Sequence, residues 1–120
     1  MRIVLQLPPK GLWPNDRVCW QALARARAEY RHDAHIGALE ALGRRKEPAW
    51  PRATIQATFF YRSRRSRRDP DNCLAALKSA FDALQDAGVL ATDRYLTHLP
   101  VLQQVDPAHP RVEIEIEETA

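Results

Sequence analysis

Cysteine is scarce in this chain of 120 residues, which contains only Cys19 and Cys73. The two do not form a CxxC metal-binding pair, and they predict reduced thiols in a cytoplasm rather than a disulfide framework. The short apolar segment at the N-terminus ends at Pro8, too soon for the apolar region of a secretory signal. No apolar run approaches the length that spans a membrane. The sequence therefore predicts a cytoplasmic protein without a membrane partner.

Internal repeats and low-complexity segments are also absent, and the length indicates one domain, residues 1–120. Hydrophobic residues make up 45% and charged residues 28%, a balance typical of globular proteins. The net charge of +3 is small but unevenly distributed. Five arginines crowd residues 62–68, here called the arginine segment: Arg62, Arg64, Arg65, Arg67 and Arg68. Such local clustering favours a nucleic-acid partner more than the total charge does.

Apolar periodicity and chain breakers predict six elements in the order β-α-β-α-β-β. They are a strand at 2–7, a helix at 16–42, a strand at 53–62, a helix at 71–87, a strand at 96–105 and a strand at 112–117. Asn15 is the expected N-cap of the first helix, and Gly43 and Gly88 are the expected helix ends. Residues 44–51 are predicted to form a charged, proline-bounded linker. This order predicts an α+β fold, a small mixed α/β sheet with two main helices packed on it.

Two aspartates follow the arginine segment directly. Asp69 and Asp71 flank Pro70 at the predicted start of the second helix. Arginine forks bind phosphate oxygens, and a close pair of carboxylates holds a hard cation such as Mg²⁺. Metal-assisted cleavage of a phosphodiester needs both features side by side. Together with Asp93 further along the chain, the pattern indicates a metal-dependent nuclease.

Two simpler interpretations of these residues stay open at this point. Carboxylates at a helix N-terminus are favoured by the helix dipole, so Asp69 and Asp71 could serve only as caps. The arginines could form solvated ion pairs with them, which contribute little to stability. Composition alone does not decide between these interpretations and a phosphate-binding metal site.

The stretch from Arg67 to Asp93 resembles the signature of the RusA family, the Holliday-junction resolvases of bacteria and phages. The matching parts are Asp69-Pro70-Asp71-Asn72, the sequence LKSAFDAL at 77–84 and the sequence DAGVLATD at 86–93. The N-terminal sequences LPPK at 7–10 and PNDRVCW at 14–20 also resemble phage-type members. The resemblance therefore spans most of the chain in the same order.

This resemblance implies a homodimer that uses Mg²⁺ or Mn²⁺ to resolve four-way DNA junctions by paired symmetric nicks, in DNA recombination and repair. It implies that Asp69, Asp71 and Asp93 bind the metal and act in catalysis. It also implies products with a 5′-phosphate and a 3′-hydroxyl. The residues expected to contact branched DNA are Lys10, Asn15, Arg17, Arg64, Arg65, Arg67 and Arg68.

The sequence departs from the family pattern at three positions. Ala75 stands where the family often has a functional lysine, four residues after the second aspartate. Lys78 lies one turn further along the same helical seam and is the candidate to replace that lysine, with a surface lysine as the alternative. The family's second aspartate pair is Thr92-Asp93 here, with Asp93 as the expected ligand. Cys19 replaces a histidine of the phage-type members and is expected to be buried.

Two of the tryptophans have different expected roles. Trp13 is the best candidate to stack on unpaired bases, whereas Trp20 is expected in the core.

The main alternative function is a RusA-like module that binds branched DNA with weak or no cleavage, because of Ala75. A nuclease for other branched DNA and a domain whose arginines meet an acidic protein are further alternatives.

Overall fold

The computed structural model describes residues 1–44 and 47–119. Its centre is a mixed sheet built on β2 (Ala53–Tyr61) and β5 (Arg111–Glu118), which run antiparallel. On the far side of β5 lies β1 (Arg2–Leu5), also antiparallel. On the far side of β2 lie two short parallel strands, β3 (Leu96–His98) and β4 (Leu102–Val105). The α+β class with a mixed sheet is thus confirmed.

Three helices cover the sheet. They are α1 (Trp20–Leu42), α2 (Pro70–Ala76) and α3 (Lys78–Asp86). A parallel neighbour for β2 requires a crossover connection, and α2 and α3 provide it between β2 and β3. Alternate residues of β2 and β5 are buried, while their neighbours are half-buried or exposed, so the sheet buries one face more deeply than the other. The buried core of this face includes Phe59, Leu77, Leu84 and Ile114.

The described part of the chain differs from the predicted elements at several ends. Asn15 is not the N-cap of α1, because the helix begins at Trp20 with Cys19 at the cap position and residues 13–16 form a turn closed by Asp16 N–H and the Trp13 carbonyl. The first strand ends two residues early, before Pro8-Pro9. Gly43 ends α1 as expected, with a left-handed φ of 69°. The predicted linker 44–51 includes Arg45 and Lys46, which lie outside the described residues.

Two predicted elements are each divided in the structure. The second helix is interrupted at Leu77, although Leu77 N–H still bonds the Cys73 carbonyl and Phe81 N–H bonds that of Leu77. The two helices therefore continue one hydrogen-bond pattern. The last-but-one strand is interrupted at residues 99–101, where Pro100 has no N–H to donate. Among the described residues, no helix has the length and apolar character needed to cross a membrane.

Candidate nucleic-acid and metal site

The arginine segment leaves the sheet at the end of β2 and is exposed throughout. A single 3₁₀ turn, Arg64–Ser66, gives it local order, with Ser66 N–H bonded to the Ser63 carbonyl and Arg67 N–H to that of Arg64. Within the described residues, no carboxylate lies within ion-pair distance of its five guanidinium groups. These cations are therefore available to an anion from outside the chain.

Asp69 and Asp71 stand at the start of α2, directly after this segment. Asp69 occupies the N-cap position through its main chain, because its carbonyl accepts the Cys73 N–H at 3.0 Å, but its carboxylate makes no capping bond. Pro70 is in the first helical turn, as its fixed φ favours. Neither carboxylate is within ion-pair distance of a cation in the part of the chain that the structure describes. The described residues therefore show neither a side-chain cap bond from Asp69 nor an ion pair of either carboxylate, whereas Asp71 does lie in the first turn of α2, where the helix dipole favours it.

Arg68 is the residue of the arginine segment that contacts with β4 and with Trp13 hold in place. Its N–H donates to Gln103 Oε1 at 3.0 Å, and its carbonyl accepts from Gln103 Nε2 at 2.8 Å. Its guanidinium carbon lies 4.4 Å from the centre of the Trp13 ring, a cation–π contact. Sequence reasoning missed Gln103, because a strand glutamine has no local pattern that reveals a main-chain partner 35 residues away.

Behind Arg68, Tyr61 and Cys73 form a buried polar contact. The Tyr61 hydroxyl donates to Gln103 Oε1 at 2.8 Å and lies 3.5 Å from Cys73 Sγ. Burial raises the pKa of Tyr61, and the hydrogen bond to Cys73 raises it further. Burial also raises the pKa of Cys73 above its ordinary value. Both groups are consequently neutral near pH 7 and serve as hydrogen-bonding support rather than as charges.

The loop between β1 and α1 lies beside the arginine segment. Trp13 in this loop contacts both Arg68 and Phe59, near the end of β2. Lys10, Asn15 and Arg17 are exposed on the same loop, and none has a side-chain bond within the described residues. The loop places these predicted DNA-contact residues near the arginine segment without fixing their side chains.

Three predictions about burial are wrong for this region. Trp13 is only 7% exposed, its Nε1–H donates to the Pro8 carbonyl, and Arg68 covers its ring, so it is not free to stack on a base. Trp20 is 74% exposed instead of buried. Cys19 is exposed as well. The late start of α1 explains the last two, since both residues lie in the poorly covered entry to the helix.

Lys78 is placed away from the two aspartates. Its side chain is 67% exposed, and Nζ lies 2.5 Å from Asp82 Oδ1, as the i, i+4 spacing predicts. Asp82 lies on the far side of Lys78 from Asp71 along the helices. Arg31 also reaches this cluster, with Nη1 at 4.0 Å from Asp82 and Nε at 2.6 Å from Asp86. The ammonium group is thus engaged about two turns from Asp71.

Asp93 lies at the opposite end of β2 from Asp69 and Asp71. It is in the turn before β3, its carbonyl accepts the Leu96 N–H, and Leu96 pairs with Ala53 at the start of β2. Arg68, in contrast, is bonded to Gln103, which pairs with Phe59 near the end of β2. A nine-residue strand is about 25 Å long. One chain therefore does not bring the three aspartates together.

The donor set can be tested against a divalent cation on this geometry. Two unpartnered carboxylates that flank one proline are suitable oxygen ligands for Mg²⁺ or Mn²⁺. Among residues 1–44 and 47–119, however, no three His, Cys, Asp or Glu side chains form a group that could hold a metal. Asp69 and Asp71 therefore fit part of a metal site, and Mg²⁺ commonly takes its other ligands from water and from substrate phosphates.

A cleft of about 960 Å³ lies next to the arginine segment but does not include Asp69 or Asp71. It opens between the first half of α1 and the helices α2 and α3. Cationic residues Arg27, Arg31 and Lys78 line it together with His98. Burial, helped by the charge of Lys78, lowers the pKa of His98, so its ring is neutral near pH 7. Trp13 lines the cleft and contacts Arg68, and so joins it to the arginine segment.

Comparison with known proteins adds no family assignment. No protein-family model matches the chain, and no curated protein matches it. The family resemblance therefore rests on the residues of the sequence motif alone.

Proposed function

We propose that this protein is a divalent-metal-dependent endonuclease of the RusA type that resolves four-way DNA junctions as a homodimer. The observation that carries the proposal is the end of the arginine segment. Within the part of the chain that the structure describes, two carboxylates without a side-chain cap bond or an ion pair follow five arginines without a carboxylate partner. The described structure leaves these opposite charges free, so that a phosphate can be bound by the arginines and a cation by the carboxylates.

The chain's own residues have separable roles in this proposal. Arg64, Arg65 and Arg67 bind backbone phosphates, which makes DNA affinity steeply dependent on salt. Asp69 and Asp71 hold the cation beside the phosphate that the arginines position. A bound Mg²⁺ or Mn²⁺ would supply a nucleophilic water at neutral pH and polarise the phosphoryl oxygen. The chain would act in the cytoplasm of a bacterial cell, where Cys19 and Cys73 stay reduced.

The position of Asp93 makes the homodimer part of the proposal. Within one chain Asp93 and Asp71 are at opposite ends of β2, so a site that uses both needs Asp93 from a second chain. A two-fold dimer contains two such sites, because each chain contributes Asp93 to the site of its partner. Two sites related by a two-fold axis also match the two-fold symmetry of a four-way junction.

One observation favours the second candidate, a module that binds branched DNA but cuts weakly. Position 75 is alanine, and the Lys78 ammonium is already engaged by Asp82. No lysine is therefore next to Asp71 on its helical seam. Such a protein would retain the arginine segment and its DNA affinity while it lacks a cation that stabilises charge on the phosphate.

A cleavage assay on a labelled four-way junction tests the proposal. With Mg²⁺ or Mn²⁺, we expect symmetric nicks in two opposing strands and no cleavage of a linear duplex of the same sequences. Junction binding without nicks, at every concentration of either metal, would favour the binding module instead. Equal affinity for junction and duplex at physiological salt would contradict both and favour an acidic protein partner.

The role of the missing lysine is tested by Ala75→Lys. Ala75 is exposed one turn from Asp71, so a lysine there reaches the phosphate beside the aspartates. We expect the nicking rate to rise by about tenfold, less than the roughly 100-fold of one fully preorganised group, because an introduced lysine is flexible. Ala41→Lys adds the same charge at an exposed position near the end of α1 and should leave the rate unchanged.

The matching substitution at Lys78 completes that test. Because the Lys78 ammonium is paired with Asp82 and not with the site aspartates, Lys78→Met is expected to change the rate by less than about threefold. A loss of activity in this variant would instead identify Lys78 as the functional lysine.

A further inference from the structure

The side-chain amide of Gln103 makes two hydrogen bonds to the main chain of Arg68, in the way that the main chain of a neighbouring strand would. One amide group bonds both the N–H and the carbonyl of the same residue, at 3.0 and 2.8 Å. Gln103 projects from β4, which is itself held parallel to β2 through the pair with Phe59. The main chain of Arg68 is therefore connected through Gln103 and β4 to β2, the central strand of the sheet.

The N–H and the carbonyl of Arg68 determine the orientation of this amide, and Tyr61 adds a third hydrogen bond to it. The buried hydroxyl of Tyr61 donates to Gln103 Oε1 at 2.8 Å, the same oxygen that accepts the Arg68 N–H. If the amide were turned over, its NH₂ group would face the Arg68 N–H, which can only donate, and the Arg68 carbonyl would face an oxygen. The amide consequently has one favourable orientation, and this orientation is the one that grips Arg68.

Arg68 has few other restraints on either side along the chain. Residues 62–67 are exposed and are bonded mainly within their own 3₁₀ turn. Asp69 follows at once and begins α2. The peptide that Gln103 holds is thus the joint between the phosphate-binding arginines and the first metal-binding carboxylate.

On this geometry we propose that Gln103 is a positioning residue of the nuclease site. It fixes the position of the arginine segment relative to Asp69. This inference rests on the proposed function. Gln103 does not touch the phosphate or the cation. It acts through Arg68, and the Arg68–Trp13 contact holds the other end of that residue.

The test uses Gln103→Met, which keeps the length of the side chain and removes both hydrogen bonds to Arg68 together with the one from Tyr61. Gln104→Met is the matched control, since Gln104 is the exposed next residue of β4 and its side chain points to the opposite side of the strand. The first readout is hydrogen exchange of the Arg68 amide by NMR, which depends on no activity. We expect it to be about five- to tenfold faster, the effect of one lost hydrogen bond.

The second readout separates kcat from KM on a four-way junction. We expect kcat to fall about 10- to 100-fold, as for the loss of groups that orient metal ligands, with KM within about threefold because the arginines remain. Gln103→Glu is the second variant if Gln103→Met does not fold. It replaces the bond to the Arg68 carbonyl by repulsion between two oxygens, so kcat should again fall, whereas exchange of the Arg68 amide should not become faster because the acceptor of its N–H is kept.

The outcomes distinguish this inference from the proposed function. Unchanged exchange at Arg68 in Gln103→Met would overturn the clamp itself. Faster exchange with an unchanged kcat, or a loss confined to KM, would leave the clamp as a purely structural contact and overturn the positioning role. A wild-type protein that cleaves no DNA would instead refute the proposed function, and this inference with it.

Discussion

Asp71→Asn is expected to reduce junction cleavage by more than about 100-fold. The loss of a residue that only supports a metal ligand reduces activity by about 10- to 100-fold, and Asp71 is proposed to bind the metal itself. The amide keeps the shape of the side chain but removes the charge that holds the cation. Junction affinity should be retained or slightly raised, because one negative charge is removed beside the arginine segment. Gel-shift and nicking assays on the same junction measure both quantities.

The control for this substitution is Asp33→Asn. Asp33 is an exposed aspartate of α1 whose carboxylate makes one long contact, at 3.4 Å from Gln6 Nε2. It should leave both binding and cleavage unchanged. An Asp71→Asn protein that still cleaves at the wild-type rate would contradict a ligand role for Asp71. Loss of binding together with cleavage would assign Asp71 to the fold or to the DNA surface.

The second large effect is recovery of activity when two inactive variants are mixed. Asp71→Asn and Asp93→Asn should each be inactive alone. In a mixed dimer, one site joins Asp69 and Asp71 of the Asp93→Asn chain with Asp93 of the Asp71→Asn chain, so all three carboxylates are intact. Mixing the two proteins should therefore restore nicking of single strands, without paired nicks.

The control for the mixing experiment is a pair of variants damaged in the same half of the site. Asp69→Asn mixed with Asp71→Asn gives no site with three aspartates, so it should stay inactive. Differently tagged chains show that subunits have exchanged. Exchange without any recovery by the first pair would mean that Asp93 acts within its own chain or not at all.

Local sequence signals were sufficient for the regular parts of the fold. Alternation of Val112, Ile114 and Ile116 with glutamates defines β5, and the spacing of Leu74, Leu77, Phe81 and Leu84 defines the buried face of α2 and α3. These elements were predicted because the pattern within each segment matches its own period. The start of α1 was not, because the turn at 13–16 competes for Asn15 and delays the helix.

The candidate site was predictable only in part, for the same reason. Asp69 and Asp71 are neighbours in sequence, so their proximity follows from the chain. The relation between Asp71 and Asp93 depends on which end of a parallel crossover each occupies, and no single segment encodes that. The Gln103 contact likewise joins two segments that only the assembled sheet brings together.

The position of β5 between β1 and β2 also determines when the fold can close. β1 joins the sheet through β5, and Ile3 pairs with Ile114, a residue 111 positions later in the sequence. The N-terminal strand must therefore wait for the last strand before it has a partner, and the sheet is dominated by contacts between distant parts of the chain. Topologies of this kind fold slowly, on the scale of milliseconds to seconds. During synthesis on the ribosome, β1 would remain without a partner until residues 112–115 have emerged.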